Sequence, residues 1–332
     1  MATKKRISIS DIAKAMGTSI TTVSFILNGK AKERRISDAL NKRVLDYVKK
    51  VGYKPSQLIR KSVGRTKVLA LLLENITDPL FSEVGKHIEK MGAASGYHVL
   101  YYDTSNDINK TRQYIQLCIE KEFDGLIVVP PEDFEETIGK MKPPIPMVLF
   151  DRFLPTVETS YVVSDNRQGA YDATKHLLEQ ENKRVGLVSL YSNQTHIRSR
   201  LDGYMDAMDE FRMQPFIRKL SAESPVSEMG EQMIEFIVDN KLDAVLFASY
   251  HLAINGLKAI KGQTAVLPRM VAFDDHMLFA LHSPAVSVVA QDAERIAEEL
   301  MRTLTMEIEG KLKEVRSVLV PSTLIVRESS IS

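Results

Sequence analysis

Apolar positions recur with two different periods along this 332-residue chain. Over residues 8–54 they fall three and four apart, the spacing of helices that bury one face. From Val68 onward they gather into short runs separated by longer amphipathic stretches, the pattern of buried strands alternating with helices.

The first region predicts three short helices. Ser8-Ile9-Ser10-Asp11 has capping-box form, an apolar stripe of Ile9, Ile12, Ala13 and Met16 follows, and Gly17 stops the helix. Ser19 caps a second helix with Val23, Ile26 and Leu27, ending at Asn28-Gly29. After the basic loop Lys30 to Arg35, Ser37 caps a third, with Leu40, Val44, Leu45 and Val48 on one face and Gly52 at its end. Two helices across a tight Gly17-Thr18 turn, completed by a third, form a helix-turn-helix. Pro55 breaks the chain, and residues 56–63 could form two helical turns that need a partner to persist.

In the second region the expected strands are 68–73, 98–102, 125–129, 146–150, 161–164, 185–190, 244–248, 270–273, 287–290 and 324–326. Helices are expected over 80–94, 108–120, 167–180, 200–211, 227–240, 252–260 and 292–309. This alternation predicts parallel sheets of βαβ units. Ten strands suit two sheets, the second opening near 162–165.

Charge sharpens the division. Residues 1–67 hold 17 Lys and Arg against four acids, whereas the whole chain is only +1. A small basic module is thus joined to a larger acidic one, which points to polyanion binding at the amino-terminal end. One cysteine, Cys118, excludes an intramolecular disulfide framework and a cysteine-rich zinc site; its helical apolar setting predicts a buried structural thiol. The basic start is followed by no apolar signal core, and no run reaches the roughly 20 apolar residues of a membrane span. A cytoplasmic protein without membrane contact is expected.

At residues 9–19, Thr22-Val23-Ser24 and Leu27-Asn28-Gly29 the chain resembles the LacI/GalR family of bacterial transcription repressors. Val51-Gly52-Tyr53-Lys54-Pro55 resembles that family's join to a hinge helix. Asn75 to Phe81, Phe123 to Ile127, Arg200 to Tyr204 and Phe273-Asp274-Asp275 extend the similarity over nearly the whole chain. The resemblance implies an all-α helix-turn-helix headpiece, residues 1–55, and a hinge helix and linker, 56–67. Residues 68–332 would be an effector-binding and dimerisation core like the periplasmic binding proteins, with two doubly wound parallel-sheet subdomains. The N-subdomain would take about 68–162 plus 292–325 and the C-subdomain about 163–291. The implied partners are double-stranded operator DNA, a sugar-like small-molecule effector and a second copy of the chain. Helices 80–94 and 108–120 would form the dimer interface by the same analogy. The implied function is a ligand-responsive, sequence-specific DNA-binding regulator, a repressor of a carbohydrate-utilisation operon, without cofactor or metal.

A helix-turn-helix inserts its second helix amino-terminus first into the major groove, so Ile20, Thr21, Ser24 and Phe25 are placed to meet base edges. Ile20 and Phe25 can read only apolar features such as thymine methyls. Thr22, Asn28, Lys30, Lys32 and Arg34 suit phosphates, and Ser19 and Tyr53 complete the headpiece candidates. Gln57, Leu58, Arg60 and Lys61 suit a hinge segment that folds on DNA. The chain departs from the family where an arginine is usual in the recognition helix (Phe25) and where a wedge leucine is usual in the hinge (Ser62, beside Val63). The loop between helices two and three is longer and more basic than is common. Ser249-Tyr250 replaces the family's Asn-Asp pair.

Ligands of open α/β sheets bind beyond the carboxyl ends of the strands. Asp78, Phe81, Asp151, Arg152, Arg200, Tyr250, Asp274 and Gln291 stand there, with Arg198 able to substitute for Arg200. Arg200 and Asp274 are the best-supported effector contacts by family resemblance. The chain lacks Trp, so Phe81, Tyr191, Phe216 or Tyr250 must supply any aromatic face. Seven scattered histidines and the absence of phosphate-loop, nucleophile-elbow or paired-histidine patterns argue against an enzyme. The rival readings are a cytoplasmic solute-binding protein and a sugar-modifying enzyme without a recognisable catalytic site.

Overall fold

The computed structural model describes residues 8–27, 29–51, 65–141, 143–261 and 268–331. The chain divides into two compact units, residues 1–66 and 67–332.

In the first unit α1 (Ile9–Met16) begins with the expected capping box. Ser8 N–H donates to Asp11 Oδ2 at 2.9 Å, and Asp11 N–H returns to Ser8 Oγ at 3.2 Å. Gly17 ends it in the left-handed region, φ 64°, where a Cβ would be strained. Helix α2 (Ile20–Leu27) starts at Ser19, whose Oγ accepts from Thr22 N–H at 3.0 Å. Helix α3 (Asp38–Val51) completes a core of Ile12, Ala13, Val23, Ile26, Ala31 and Val44. Leu45 departs from expectation: it is 44% exposed, and Tyr47 packs on the core instead. The buried face repeats as 40, 44, 47 and 48, which turns position 45 about a quarter-turn away. Gly52, Tyr53, Gln57, Leu58, Lys61 and Asn28 lie outside the described residues.

The second unit holds two six-stranded sheets. The first is built from β1 (Val68–Leu73), α4 (Pro79–Ala94), β2 (His98–Asp103), α5 (Ile108–Glu120), β3 (Gly125–Val128), α6 (Glu135–Met141), β4 (Met147–Phe150) and β5 (Tyr161–Ser164). The second follows with α7 (Asn166–Glu179), β6 (Val185–Leu190), α8 (Thr195–Glu210), β7 (Phe216–Leu220), α9 (Val226–Asp239), β8 (Ala244–Phe247), α10 (Tyr250–Ile260), β9 (Arg269–Phe273), α11 (Met277–Leu281) and β10 (Ser287–Ala290). The chain then returns through α12 (Ala293–Ile308) and β11 (Ser317–Val320) to the first sheet and ends with β12 (Thr323–Ile325) in the second. Both sheets share one order: β11-β5-β4-β3-β1-β2 and β12-β10-β9-β8-β6-β7. Among the described residues every strand pairing is parallel except β10 with β12.

The expected subdomain limits shift at two places. Strand β5 carries the first sheet through Ser164, paired with β11, rather than stopping at 162. Residues 323–325, expected in the N-subdomain, pair with β10 of the C-subdomain. A continuous apolar run does not announce which sheet will accept it; the partner strand decides. Strands β7 and β11 were not expected: the apolar run of β7 is broken by Arg218 and Lys219, and that of β11 is only three residues long, Val318 to Val320. Helices α6 and α11 are too short to show a period. Cys118 is fully buried on α5, and burial pushes its thiol up to about 12, as expected of a structural thiol.

Candidate functional site

All eight expected cleft residues line one cavity of about 410 Å³ between the two sheets, at the carboxyl ends of their strands. The structure adds Glu74, Gln194, His196, His251 and Asn255 to the lining. A second cavity, about 480 Å³, lies at the opposite ends of β4 and β5 and holds none of the expected residues. The first is the candidate site because open α/β sheets place ligands beyond their strand carboxyl ends and its polar groups converge.

Arg200 was expected to open a helix. Instead it sits in the second turn of α8, which starts at Thr195. It is 3% exposed and its guanidinium is shared three ways. Nε donates to Asn166 Oδ1 at 2.8 Å, and Nη1 donates to the Ala248 carbonyl at 2.7 Å and to Asp274 Oδ2 at 3.3 Å. The Phe273 ring lies 3.8 Å beneath it. Asp274 also accepts from Gln291 Nε2 at 2.5 Å, and Gln291 Oε1 accepts from Ser164 Oγ. Helix α8 reaches this position because Gly203 presses on α7, where a Cβ would stand 2.0 Å from the Arg167 carbonyl oxygen. Arg198, the alternative arginine, is exposed and does not line the cavity.

On the first sheet Asp151 follows β4 with φ 69°, as Asp274 follows β9 with φ 70°. Two non-glycine residues in the left-handed region at one site mark a backbone bent to aim side chains. Asp151 is buried, and burial pushes its carboxyl up to about 6, with Arg152 and Arg200 pulling the other way. Arg152 pairs with Glu74; its Nε lies 3.3 Å from Asp151 Oδ2 without donating a hydrogen bond. Asp78 caps α4, accepting from the Leu80 and Phe81 amides at 2.9 and 3.2 Å. Burial raises its pKa, opposed by the amide bond from Phe81.

Tyr250 bridges the halves, donating to Asp78 Oδ2 at 3.1 Å. Glu132 bridges them again by accepting from Ser192 Oγ at 3.1 Å and Asn193 N–H at 2.9 Å. The aromatic face expected from four residues reduces to two. Phe81 and Tyr250 line the cavity, with the Tyr250 ring packed on His251 at 3.9 Å and His276 at 5.3 Å. Tyr191 is 70% exposed outside it, and Phe216 is buried under Arg184.

Gln194 and His196 were missed by sequence reasoning, since neither carries charge or a motif. The signal is structural: Arg152 Nε, Gln194 Nε2 and His196 Nδ1 are buried without hydrogen-bond partners. Burial, then the nearby Arg152 and Arg200, hold the His196 pKa well below the ordinary value, so the ring is neutral.

In the headpiece Ser19, Ile20 and Thr21 are exposed, Thr22 and Ser24 half-buried, and Lys30, Lys32 and Arg34 exposed. The Thr22 hydroxyl lies 2.8 Å from Ser19 Oγ. Phe25 is half-buried and stands outside the headpiece core cluster; the Arg34 guanidinium sits 4.8 Å over its ring.

Two family descriptions match the chain: "Bacterial regulatory proteins, lacI family" over residues 8–56 and "Periplasmic binding protein domain" over 69–312. Among known proteins, the HTH-type transcriptional regulator DegA of Bacillus subtilis is 27% identical over 97% of this chain and 98% of its own length. The HTH-type transcriptional repressor PurR of Haemophilus influenzae is 27% identical over the same shares. The solved complex of the transcriptional regulator CelR with cellobiose superposes with a TM-score of 0.71 at 22% identity, covering 98% of this chain and 100% of that one.

Proposed function

The chain belongs to the lacI family of bacterial regulatory proteins and carries its periplasmic-binding-protein domain, and from this we propose an effector-responsive transcription repressor that acts in the cytoplasm. The headpiece docks α2 in the major groove of operator DNA, with Thr21 and Ser24 toward base edges and Lys30 and Lys32 toward phosphates. The cleft takes a small sugar-like molecule, whose different affinity for two arrangements of the subdomains shifts the population that binds DNA. The observation that carries the reading is the convergence of eight sequence-predicted residues on one cavity in a chain that also bears a helix-turn-helix.

Two half-sites require two headpieces, so the working unit is a homodimer. The expected interface helices α4 and α5 already turn apolar faces into their own subdomain, through Phe81, Val84 and Ile88 and through Ile115 and Cys118. Helix α11 fits the interface better, since Met277, Leu278 and Leu281 are 73%, 50% and 75% exposed. Leu281→Glu should shift the sedimentation coefficient from dimer to monomer.

A gel-shift with genomic fragments tests the function. The full chain should bind with an affinity that falls linearly with log salt, and a fragment starting at Lys67 should not bind. Equal DNA affinity in that fragment, or no shifted fragment with the full chain, rejects the reading.

A further inference from the structure

We propose that the cleft selects an uncharged, polyhydroxylated effector and rejects phosphorylated or carboxylated relatives of it. This rests on the cleft being the effector site. Its lining holds four carboxylates, Glu74, Asp78, Asp151 and Asp274, against two guanidiniums, Arg152 and Arg200. Both guanidiniums are engaged within the protein, Arg200 with Asp274, Asn166 and the Ala248 carbonyl, and Arg152 with Glu74. Among the described residues, neither arginine therefore brings an unpaired positive charge to these walls. His196 adds none, because it is held neutral.

What the walls do offer is unspent hydrogen bonding of both kinds. Among the described residues, five buried side-chain polar atoms lack a partner, and three of them line this cavity: Arg152 Nε, Gln194 Nε2 and His196 Nδ1. The first two are donors; the carboxylates around them are acceptors. A hydroxyl accepts from one and donates to the other. A phosphate or carboxylate accepts only, so it would satisfy the donors and face the acids with like charge.

The test uses the full chain and a panel of neutral pentoses, hexoses, disaccharides and sugar alcohols, each beside its phosphate ester or uronate, read by thermal shift and calorimetry. A neutral member should bind, and its anionic partner should bind at least ten-fold more weakly. Gln194→Leu and His196→Leu should each weaken the neutral ligand about five- to ten-fold, whereas Tyr191→Ala, outside the cavity, should not change it. Asp151→Asn should narrow the gap between neutral and phosphorylated forms. An anionic member binding as tightly as its parent, a panel without any neutral binder, or an unchanged gap in Asp151→Asn overturns the inference. The regulator reading itself fails separately, by the gel-shift.

A different observation carries a second proposal, which rests on the DNA-binding reading: Arg34 supplies from the loop the base-reading guanidinium that α2 lacks. Helix α2, Ile-Thr-Thr-Val-Ser-Phe-Ile-Leu, contains no ionisable residue. Thr21 and Phe25 are one helical turn apart on the side away from the buried Val23 and Ile26. The Arg34 guanidinium lies over the Phe25 ring, at the end of that outward stripe. A flat ring orients a flat guanidinium and leaves its edge free to make paired bonds to guanine O6 and N7. Operator selection in vitro should therefore return a guanine in each half-site. Arg34→Lys should lose that preference ten-fold or more while keeping non-specific affinity, and Phe25→Leu should weaken it. A uniform loss across all sequences in Arg34→Ala, or a consensus insensitive to position 34, overturns this role and leaves Arg34 a phosphate contact.

Discussion

Asp151 and Asp274 occupy matching corners of two sheets with the same strand order, each just past the third strand from its β11 or β12 edge and each in the left-handed region. Their surroundings differ. Asp274 receives Arg200 from a helix 74 residues earlier and Gln291 from beyond β10. Asp151 receives no hydrogen bond from its neighbour Arg152, whose charge goes chiefly to Glu74. One corner is a closed, satisfied network that fixes the C-subdomain wall. The other is a buried carboxylate with spare acceptor capacity. The difference teaches where a site stores its binding potential: at the positions whose polar groups the fold leaves unpaired, not at those it has closed.

The comparison breaks most strongly at Arg200. Arg200→Met leaves Asp274 and Asn166 without their partner and should cost about 3–5 kcal/mol in urea unfolding. Arg152→Met should cost less, because Glu74 is more than one-third exposed and water can replace the guanidinium. Equal losses would mean that the two corners are held alike.

Gly203→Ala strikes the same network indirectly. The new Cβ would force α8 off the Arg167 carbonyl and carry Arg200 with it. A loss of about 1–3 kcal/mol or more is expected, together with loss of effector response. Full stability in this variant would show that the helix contact has slack.

The carboxylates themselves should respond with opposite signs. A folded pKa of about 6 for Asp151, above the ordinary carboxylate value of 3.8, means that the folded protein binds the extra proton between those limits. Stability from this group is therefore undiminished below pH ~4, falls as pH rises toward ~6, and carries the full penalty above it, about 2–3 kcal/mol. Asp151→Asn should remove this slope and raise the unfolding free energy at pH 7 by up to that amount, since asparagine tolerates the left-handed backbone. Asp274→Asn should lower it by about 1–2 kcal/mol by weakening the Arg200 and Gln291 bonds. The same sign for both variants in pH-resolved unfolding curves would erase the distinction.

Much of this was legible in the chain. Ser8-Asp11, Gly17, Ser19 and Ser37 announce their helix ends because a cap is a local bond between residues three apart. The central strand runs, such as β3, β4 and β8, show because burial on both faces leaves no polar position. Asp78, Asp151 and Asp274 could be placed in the cleft because strand carboxyl ends in α/β sheets face one side. Helical period alone separates Phe25 from Val23 and Ile26, and Phe25 stands outside the headpiece core cluster.

The rest needed the third dimension. Which sheet receives 163–164 depends on a partner strand about 156 residues further on, and which receives 323–325 on one about 35 residues back; an apolar run carries no address. Gln194 and His196 look ordinary until the fold buries their nitrogens without partners. Arg152 and Arg200 are one charge apiece in the sequence. Only packing decides that both are already neutralised, because Coulomb energy depends on distance and burial, and neither is written in the order of the residues.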